Sequence, residues 1–374
     1  MLTEGDDVLR IVQVKSWKQV RQFLHLPHVV HNNPSSRWIP PLKLYERVAM
    51  GPLKAKGKGF WLVFDGERPI ARLGAMIHSH EGEKRIHFGF FDCCEGFPEA
   101  LPLLFAEAQN LGPNLELHGP YNFTMEDPYV GLLVEGFEYE PVFLSPYNPP
   151  FYESYLQSVG FEQMMDLYSY SFKAGEPQMD KMASRAKRAA SKGIEIRTMD
   201  KSQQAKEMKT CTDIADQALA GNWGFEAVSA DQLKILILFC RLLFDPKMTL
   251  FARHGEKDVG FLWGLGDFNK FLRDCEGRIT LRLIWRLLTK KKTISGYRGY
   301  ALAVLPEYQR YPVAQALIHA MAGQMEEYDW QSFEVCWIVA TNRRMNAMAL
   351  ALGGHRTKVY RLFKRVPDSR MENV

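Results

Sequence analysis

The chain has 374 residues, of which 46% are hydrophobic and 24% charged, and its formal net charge is +4. This length favours two domains or one large domain, and the apolar content is sufficient for packed cores, which excludes a largely disordered chain. The small charge excess does not indicate a nucleic-acid partner, and six cysteines without a Cys-x-x-Cys pair predict neither a disulfide framework nor a zinc site.

No segment of the sequence has the pattern of a signal peptide or of a membrane-spanning helix. The first seven residues are acidic, and no apolar segment of the signal-peptide type follows them. The longest apolar run, 235–240, is far shorter than the ~20 residues that a membrane-spanning helix requires. We therefore expect a cytoplasmic protein with reduced cysteines, which at most lies on the inner face of the membrane.

The first half of the chain predicts a mixture of strands and helices. Alternating apolar residues predict a strand over 8–14, and Ser16 is a suitable N-cap for a helix through Leu26. A proline-rich segment, 31–42, predicts an ordered loop or lid. The next predicted elements are three strands, with a hairpin at Asp65-Gly66, then a helix and a strand: 60–64, 70–78, 85–91, 98–110 and 115–118.

Two turn-forming segments, 119–127 and 145–152, are unusually rich in aromatic and polar side chains. Two interpretations remain open for them: a substrate site, or rings that close the end of a domain. The second segment leads into a helix that ends near Gly160, and a strand is predicted over 167–172.

The composition changes after this strand. Residues 173–192 are polar and predict a linker that ends in a basic helix, either a solvated surface or a site for an anionic group. The strand-first pattern then restarts, which predicts an internal repeat at the level of the fold. The predicted strands are 194–197, 248–254, 259–268, 301–305, 333–339 and 356–363, and the helices are 202–220, 230–244, 343–352 and one that follows a turn at 306–311.

The segment 300–324 organises this second half. Its small apolar strand reaches a turn at Pro306, and the helix beyond carries apolar residues three or four positions apart: Ala314, Leu317, Ile318, Met321 and Met325. A strand that leads into a helix start directs free N–H groups and the positive end of the helix dipole to one point, and this arrangement binds phosphate. The alternative is an ordinary buried strand–helix unit.

The turn sequence Val304-Leu-Pro-Glu-Tyr-Gln-Arg-Tyr-Pro-Val-Ala314 resembles motif A of the GNAT superfamily of N-acyltransferases. The resemblance implies a site for the pyrophosphate of acyl-CoA, with these contacting residues: Val304, Leu305, Gln309, Arg310, Val313, Ala314 and Gln315. Pro312 stands where the family has glycine and has no N–H to donate. We expect the lost donor to weaken cofactor binding by about 1–3 kcal/mol without abolishing it.

The segment 337–346 resembles motif B of the same superfamily, in which a strand splays from its neighbour to admit the pantetheine arm. Asn342 then has two possible roles, a cofactor contact and an N-cap. The tyrosine that protonates the leaving thiolate in many members falls at Ala349. Either the thiolate leaves into solvent or another hydroxyl replaces that tyrosine, the nearest in sequence being Tyr308, Tyr311 and Tyr360.

Five short segments along the whole chain resemble those of a narrower family of bacterial tandem GNAT-like proteins: 38–42, 119–123, 131–137, 146–152 and 337–346. The resemblance implies an α/β (α+β) fold of two GNAT-like lobes, each a mixed central sheet flanked by helices. The implied parts are an N-terminal lobe with a degenerate CoA motif, a basic linker helix, a C-terminal acyl-CoA domain and a tail: 1–173, 174–193, 194–366 and 367–374. Some proteins of this kind are tied to N-acylation of a long-chain sphingoid base, the bacterial ceramide synthase reaction.

The implied reaction is direct transfer of an acyl group from acyl-CoA to a small-molecule or lipid amine held between the lobes, without a metal or a covalent enzyme intermediate. A carboxylate, or a water that it holds, must accept the proton of the amine. We assign this role to Glu126 or Asp127, with Asn122 and Tyr147 orienting the substrate. Backbone N–H groups of the strand 301–305 are expected to face the carbonyl oxygen as it gains charge.

The basic insert 279–292 predicts a helix with Leu281, Ile284, Trp285 and Leu288 on one stripe and lysines at 290–292. Two interpretations remain open: a helix packed on the protein with solvated charges, and a helix that lies on an anionic membrane. The second suits a long-chain acyl-CoA and a lipid amine in place of acetyl-CoA and a small or peptidyl amine. A further alternative is a binding protein that kept the fold without activity. The oligomeric state is not predicted.

Overall fold

The structure, a computed structural model, describes residues 8–80, 82–124, 127–175, 179–227, 245–289 and 293–367. Three predictions lie outside these ranges: the base Glu126, the helix over 230–244 and the lysines at 290–292. The chain forms two compact units, each discontinuous: unit 1 is Met1–Leu167, Glu276–Ile279 and Lys358–Val374, and unit 2 is Tyr168–Cys275 and Thr280–Thr357. The units divide between Leu167 and Tyr168, and residues from Lys358 onwards return to unit 1. The predicted parts 1–173, 174–193, 194–366 and 367–374 stay a prediction.

The described elements agree closely with the predicted order. The strands are β1 (Arg10–Gln13), β2 (Lys58–Asp65), β3 (Arg68–His80), β4 (Glu83–Cys93), β5 (Leu117–Gly119), β6 (Leu132–Glu135), β7 (Glu162–Lys173), β8 (Ile194–Thr198), β9 (Thr249–His254), β10 (Lys257–Gly266), β11 (Gly296–Val304), β12 (Ser332–Val339) and β13 (His355–Arg365). The helices are α1 (Trp17–Val30), α2 (Lys43–Met50), α3 (Ala100–Gln109), α4 (Tyr152–Ser158), α5 (Met179–Ala190), α6 (Gln204–Leu219), α7 (Asn269–Arg273), α8 (Leu281–Thr289), α9 (Val313–Glu326) and α10 (Arg343–Ala351). Neither α2 nor β6 was predicted.

Unit 1 is a mixed sheet covered by helices. Strands β1 to β4 pair antiparallel in chain order, β5 pairs parallel with β4, and β13 pairs antiparallel with β5 and β6. The predicted N-cap of α1 is confirmed, because the Ser16 hydroxyl accepts the Gln19 N–H at 3.3 Å while the Gln19 side chain accepts the Ser16 N–H at 2.9 Å. Phe23, Phe60 and Phe88 are fully buried between sheet and helices.

Unit 2 repeats this pattern. Strands β8 to β11 pair antiparallel in chain order, and β12 pairs parallel with β11. The predicted internal repeat is therefore confirmed at the level of the fold. The basic helix α5 buries Met182 and Ala189, while the basic side chains of this segment are exposed: Lys181, Arg185, Lys187, Arg188 and Lys192. This exposure fits a solvated surface, and the alternative of a site for an anionic group stays a prediction.

In both units the parallel pairing is short, and this positions the candidate sites. In unit 1, β4 and β5 pair only at Ile86–His87 with Leu117–His118. In unit 2, β11 and β12 pair over Gly296–Gly299 with Ser332–Val335, although the two strands continue to Val304 and Val339. In unit 2 a gap therefore opens between the two strands, as the motif B resemblance implied. In unit 1 the segment after β5 stays against β4, since the Tyr121 N–H donates to the Phe88 carbonyl at 2.9 Å. In the part of the chain that the structure describes, no helix is long and apolar enough to cross a membrane.

Candidate functional site

The free edge of β11 presents backbone amides where the strand leaves β12. The Leu305 N–H donates to the Val259 carbonyl at 2.9 Å, on the β10 side. Since successive N–H groups of a strand point to opposite edges, the amides of Leu302 and Val304 are directed away from β10, to the edge where β12 has separated. Of the predicted contacts, Val304 keeps a free amide and Leu305 does not.

The start of α9 adds further donors beyond this edge. Its first intrahelical bond joins the Ala316 N–H to the Pro312 carbonyl at 3.1 Å, so the N–H groups of Val313, Ala314 and Gln315 have no acceptor within the helix. They lie at the positive end of the helix dipole, which favours an anion. Pro312 is the N-cap and presents no donor, as the sequence indicated.

Side chains around this turn hold it and make it basic. The Gln309 side-chain N–H donates to the Val304 carbonyl at 3.1 Å, and the Arg344 guanidinium donates to the Gln309 carbonyl at 3.1 Å. The predicted contact Gln309 therefore braces the turn against the end of β11. Arg310 is exposed, with its guanidinium 5.0 Å from the centre of the Tyr311 ring. The two guanidinium groups give this corner the charge that a diphosphate requires.

Asn342 is the N-cap of α10, because its side-chain oxygen accepts the Met345 N–H at 3.1 Å. The structure thus shows the N-cap role, and a cofactor contact of Asn342 stays a prediction. Sequence reasoning missed Tyr170 on β7, whose hydroxyl donates to the Asn346 side-chain oxygen at 3.0 Å. Tyr170 packs in the same apolar cluster as Ala349, the position where the family tyrosine is absent.

The three hydroxyls that are nearest in sequence have different surroundings. The Tyr308 hydroxyl lies 3.2 Å from Nδ1 of His254, and Tyr311 is partly exposed beside Tyr308. Tyr360 is fully buried in unit 1.

In unit 1 the turn that corresponds to the start of α9 is the one before α3, and it is unsuited to a phosphate. The Gly96 N–H donates to the Tyr155 hydroxyl at 2.9 Å, and the Ala100 N–H donates to the Phe97 carbonyl at 3.1 Å. Two carboxylates, Glu95 and Glu99, also lie in the turn. With its amides paired and two like charges present, this helix start does not attract an anion.

Unit 1 instead contains a small pocket beside the end of β4 and the segment that follows β5. It has a volume of about 110 Å³, and its walls include Phe90 and Asp92 of β4, Asn122 of the segment after β5, and Tyr147. Both aromatic segments singled out in the sequence thus line one pocket. The volume suits a polar head group and a few attached atoms, well below the ~300–1,000 Å³ of pockets that enclose a whole ligand.

A buried charge cluster forms one side of this pocket. The Arg72 guanidinium donates to Asp92 at 2.6 Å, to Glu46 at 3.2 Å and to the Phe23 carbonyl at 2.9 Å. Burial raises the pKa of both Glu46 and Asp92, and the guanidinium opposes that shift. Two carboxyl groups thus share one guanidinium, so when both are ionised the cluster carries an excess negative charge that favours a cation in the pocket.

Asp127 lies next to the pocket and has the properties of a general base. Its carboxylate accepts the Tyr45 hydroxyl at 2.6 Å, the Tyr129 N–H at 2.8 Å and the Asn122 side-chain N–H at 3.4 Å. Burial raises the pKa of Asp127 to about 7, against the effect of these donors. A carboxylate offers about four acceptor directions, so three donors from the described residues leave one for a substrate proton.

The other predicted residues of the first half have structural partners. Asn122 accepts the Phe90 N–H at 2.9 Å, which ties its loop to β4 while its amide group reaches Asp127. The Tyr147 hydroxyl donates to the Phe137 carbonyl at 3.2 Å, so its ring lines the pocket with a fixed orientation.

Sequence reasoning missed four of the polar residues here: Tyr45, Glu46, Arg72 and Asp92. Arg72 and Asp92 did carry a signal, because each is a charged residue in the mostly apolar part of its strand, 70–77 and 86–93, and buried charges must be paired. Tyr45 and Glu46 lie on α2, which the sequence did not predict.

The chain is similar over nearly its whole length to two named proteins. It is 25% identical to the bacterial ceramide synthase of Caulobacter vibrioides, over 96% of this chain and 97% of the relative. It is 24% identical to protein YghO of Escherichia coli K12, over 92% of each. No family model matches the chain.

Solved structures share the fold at low identity. A tandem GNAT protein from the clavulanic acid biosynthesis pathway matches with a TM-score of 0.54 at 12% identity, over 96% of this chain and 99% of that one. A glucosamine N-acetyltransferase region of a fungal multi-domain β-N-acetylglucosaminidase matches with a TM-score of 0.59 at 10% identity, over 96% of this chain. The chain spans 38% of that fungal protein.

Proposed function

We propose that this chain, which has the tandem GNAT fold, is an acyl-CoA-dependent N-acyltransferase in which unit 2 binds the donor and unit 1 binds the amine. The proposal rests on one observation: the two units share a fold but differ at the corresponding helix start. The helix start of unit 2 keeps free amides and a basic rim, whereas the equivalent turn of unit 1 is closed. Unit 1 instead has a pocket beside a carboxylate whose pKa is about 7.

The donor side follows from the amides of unit 2. The N–H groups of Val313, Ala314 and Gln315 face a diphosphate, and Arg310 and Arg344 add charge. The pantetheine arm then lies along the edge of β11 beyond Gly299, in the place of the missing β12 pairing. The amides of Leu302 and Val304 donate to it, or to the thioester oxygen as that oxygen gains charge.

The acceptor side follows from the charge of unit 1. An alkyl amine is protonated at neutral pH, so the carboxylates Glu46 and Asp92 attract it as a cation. Asp127 then removes one proton, directly or through a water, because only the neutral amine is nucleophilic. A pKa near 7 leaves a large share of the base ionised and still able to accept a proton at physiological pH.

The acyl group passes directly from the thioester to the amine, without a covalent enzyme intermediate. The amine nitrogen attacks the thioester carbonyl carbon, the N–C bond forms, and the C–S bond then breaks. The ammonium group loses one proton to Asp127 before the attack. The nitrogen loses a second proton after the N–C bond forms, and the CoA thiolate gains one from solvent or from a nearby hydroxyl. Tyr170 is such a hydroxyl of unit 2, held by Asn346 at the α10 helix.

A second candidate function specifies the substrates: a long-chain acyl-CoA and a lipid amine of the sphingoid type. The full-length similarity to the protein named bacterial ceramide synthase favours it. The small volume of the unit 1 pocket also fits a head group whose chain remains outside. A small or peptidyl amine with acetyl-CoA is the alternative.

Calorimetry with acetyl-CoA, palmitoyl-CoA and free CoA tests the donor. We expect binding of a CoA thioester with a micromolar or lower Kd, and a preference for palmitoyl-CoA favours the lipid reaction. Absence of binding to all three would contradict the proposal and favour a binding protein that kept the fold.

The variant Asp127→Asn tests the base. Measured as thiol release from acyl-CoA in the presence of an amine, turnover should fall about 10²–10⁴-fold while CoA affinity is unchanged. Ser154→Ala, which removes an exposed hydroxyl bonded to the Phe151 carbonyl, is the matched control and should leave turnover unchanged. Full activity of Asp127→Asn would remove Asp127 from the mechanism.

A further inference from the structure

Helix α8 has two apolar faces, and only one is used within the protein. Leu283 and Leu287 are 3% exposed and pack inward, and α8 lies against α7. On the opposite side Leu281 is 86%, Trp285 55% and Leu288 79% exposed. The sequence stripe that contains these three residues therefore faces outward, and the helix packs through a different pair of leucines.

This exposure is unusual for one short helix. Spacings of four and three residues put the three side chains on a single stripe, so they form one apolar strip and not scattered contacts. Scattered exposed apolar residues need no explanation, but a continuous strip with a polar border indicates a surface that is covered in use. We name Leu281, Trp285 and Leu288 the α8 strip.

The charges around the strip specify what covers it. Lys270, Arg273 and Arg282 are exposed on α7 and α8, and Arg286 lies beside them. Within 269–289, all of which the structure describes, two acidic residues are present, and they are paired: Asp274 with Arg286 and Glu276 with Arg278. An apolar strip with a basic border matches an anionic lipid surface, in which the strip enters the acyl boundary and the cations contact phosphate groups.

We propose that α8 is a docking surface of unit 2 for anionic lipid bilayers, in which Leu281, Trp285 and Leu288 insert and Lys270, Arg273 and Arg282 bind headgroup phosphates. Tryptophan is suited to this boundary, because its ring is apolar and its N–H is polar. The inference does not depend on the proposed activity, since it uses no residue of either candidate site. Were the enzyme to act on lipid amines, the same surface would bring it to its substrate.

Vesicle flotation with the full-length protein tests the surface. We expect binding to vesicles of phosphatidylglycerol and phosphatidylcholine at low salt, weaker binding to phosphatidylcholine alone, and loss of binding as salt is raised. The double variant Leu281→Ser/Leu288→Ser should weaken partition by about 100-fold, because two large apolar contacts are lost. Arg282→Glu should weaken binding to the anionic vesicles only.

Trp17→Ser is the matched control for Trp285→Ser, since Trp17 is a 70% exposed tryptophan of unit 1. Trp17→Ser should bind vesicles as the parent protein does, and Trp285→Ser should bind them more weakly. Far-ultraviolet circular dichroism and CoA affinity confirm that each variant is folded. Equal binding of the α8 variants and the parent protein would overturn the proposal. So would a parent protein that ignores anionic vesicles and forms an oligomer which Leu281→Ser/Leu288→Ser dissociates, because the strip would then join copies of the chain.

Discussion

Asp127 and Arg72 show how single buried side chains give unit 1 its chemical character. Both depend on neighbours that are distant in sequence: Asp127 on Tyr45, and Arg72 on Glu46 and Asp92. Burial and a nearby negative charge, here Glu46, make a carboxyl group harder to ionise, whereas hydrogen-bond donors favour its charged form. The pKa of Asp127 is the balance of these effects, and it can be moved in a predictable direction.

The pH dependence of turnover should report this balance. Asp127 must be ionised to accept a proton, so kcat/KM should rise with pH through an apparent pKa of about 7 and then level off. Tyr45→Phe removes a hydroxyl that stabilises the carboxylate, so the pKa should increase and the profile should move to higher pH. Tyr139→Phe, an exposed tyrosine, is the control. An unmoved profile in Tyr45→Phe would show that another group controls it.

Removal of the shared guanidinium should be costly. Arg72→Met leaves two buried carboxyl groups without their cation, and the free energy of unfolding should fall by about 3–5 kcal/mol in urea titrations. Arg85→Met breaks an exposed pair with Glu83 and should cost less than about 1 kcal/mol. Similar losses for the two variants would mean that the cluster does not stabilise unit 1.

At the scale of an element, the turn from β11 into α9 combines a braced strand end with a helix start that lacks one donor. Gln309 and Arg344 fix the turn, and the amides of Val313 to Gln315 remain available. Pro312 has backbone angles, φ −79° and ψ 45°, close to those of an inverse γ-turn, a conformation that is common and that a residue with an N–H can also adopt.

Pro312→Gly should therefore strengthen cofactor binding. One additional amide at the anion site is worth on the order of 1 kcal/mol, so the Kd for CoA should fall about five- to tenfold by calorimetry. Pro306→Gly, which changes an exposed proline earlier in the same turn, serves as the control and should leave the Kd unchanged. If Pro312→Gly leaves the Kd unchanged or raises it, the diphosphate does not contact this position.

At the scale of the whole molecule, the C-terminal strand completes the unit that the N-terminal residues form. The last strand, β13, supplies unit 1 with residues that are nearly or fully buried: Val359, Tyr360, Leu362 and Phe363. Arg361 adds bonds to Asp166 at 2.8 Å and to Glu153 at 2.6 Å. Unit 1 is consequently complete only when the C-terminal residues have been synthesised.

A chain that ends at residue 354 should lose unit 1. Four large apolar side chains are worth about 6–12 kcal/mol, similar to the total stability of a domain, about 5–15 kcal/mol. Limited proteolysis with mass spectrometry should find rapid cleavage within 8–167, whereas a chain that ends at 367 should resist cleavage as the full-length protein does. Equal resistance of both truncated chains would show that unit 1 folds without β13.

Local patterns in the sequence were sufficient for most of the described elements and for the strand–turn–helix unit at 300–324. Apolar periodicity, the Ser16 cap and the turn at Asp65-Gly66 act over a few residues, so β2 to β4, α1 and α9 could be predicted from the chain alone. The turn at 306–311 with a helix beyond it was likewise predicted locally, and in the structure that helix begins at Val313. The contacts of its amides with a cofactor stay a prediction.

Only the tertiary structure decided which residues come together around the pocket of unit 1 and which face of α8 is covered. Tyr45, Arg72, Asp92 and Asp127 belong to different elements, and their contacts depend on how α2, β3, β4 and a loop pack. Burial also depends on that packing, and burial raises the pKa of Asp127 to about 7. The same holds for α8, since the pattern predicted an apolar stripe but could not show that Leu283 and Leu287 would pack in its place.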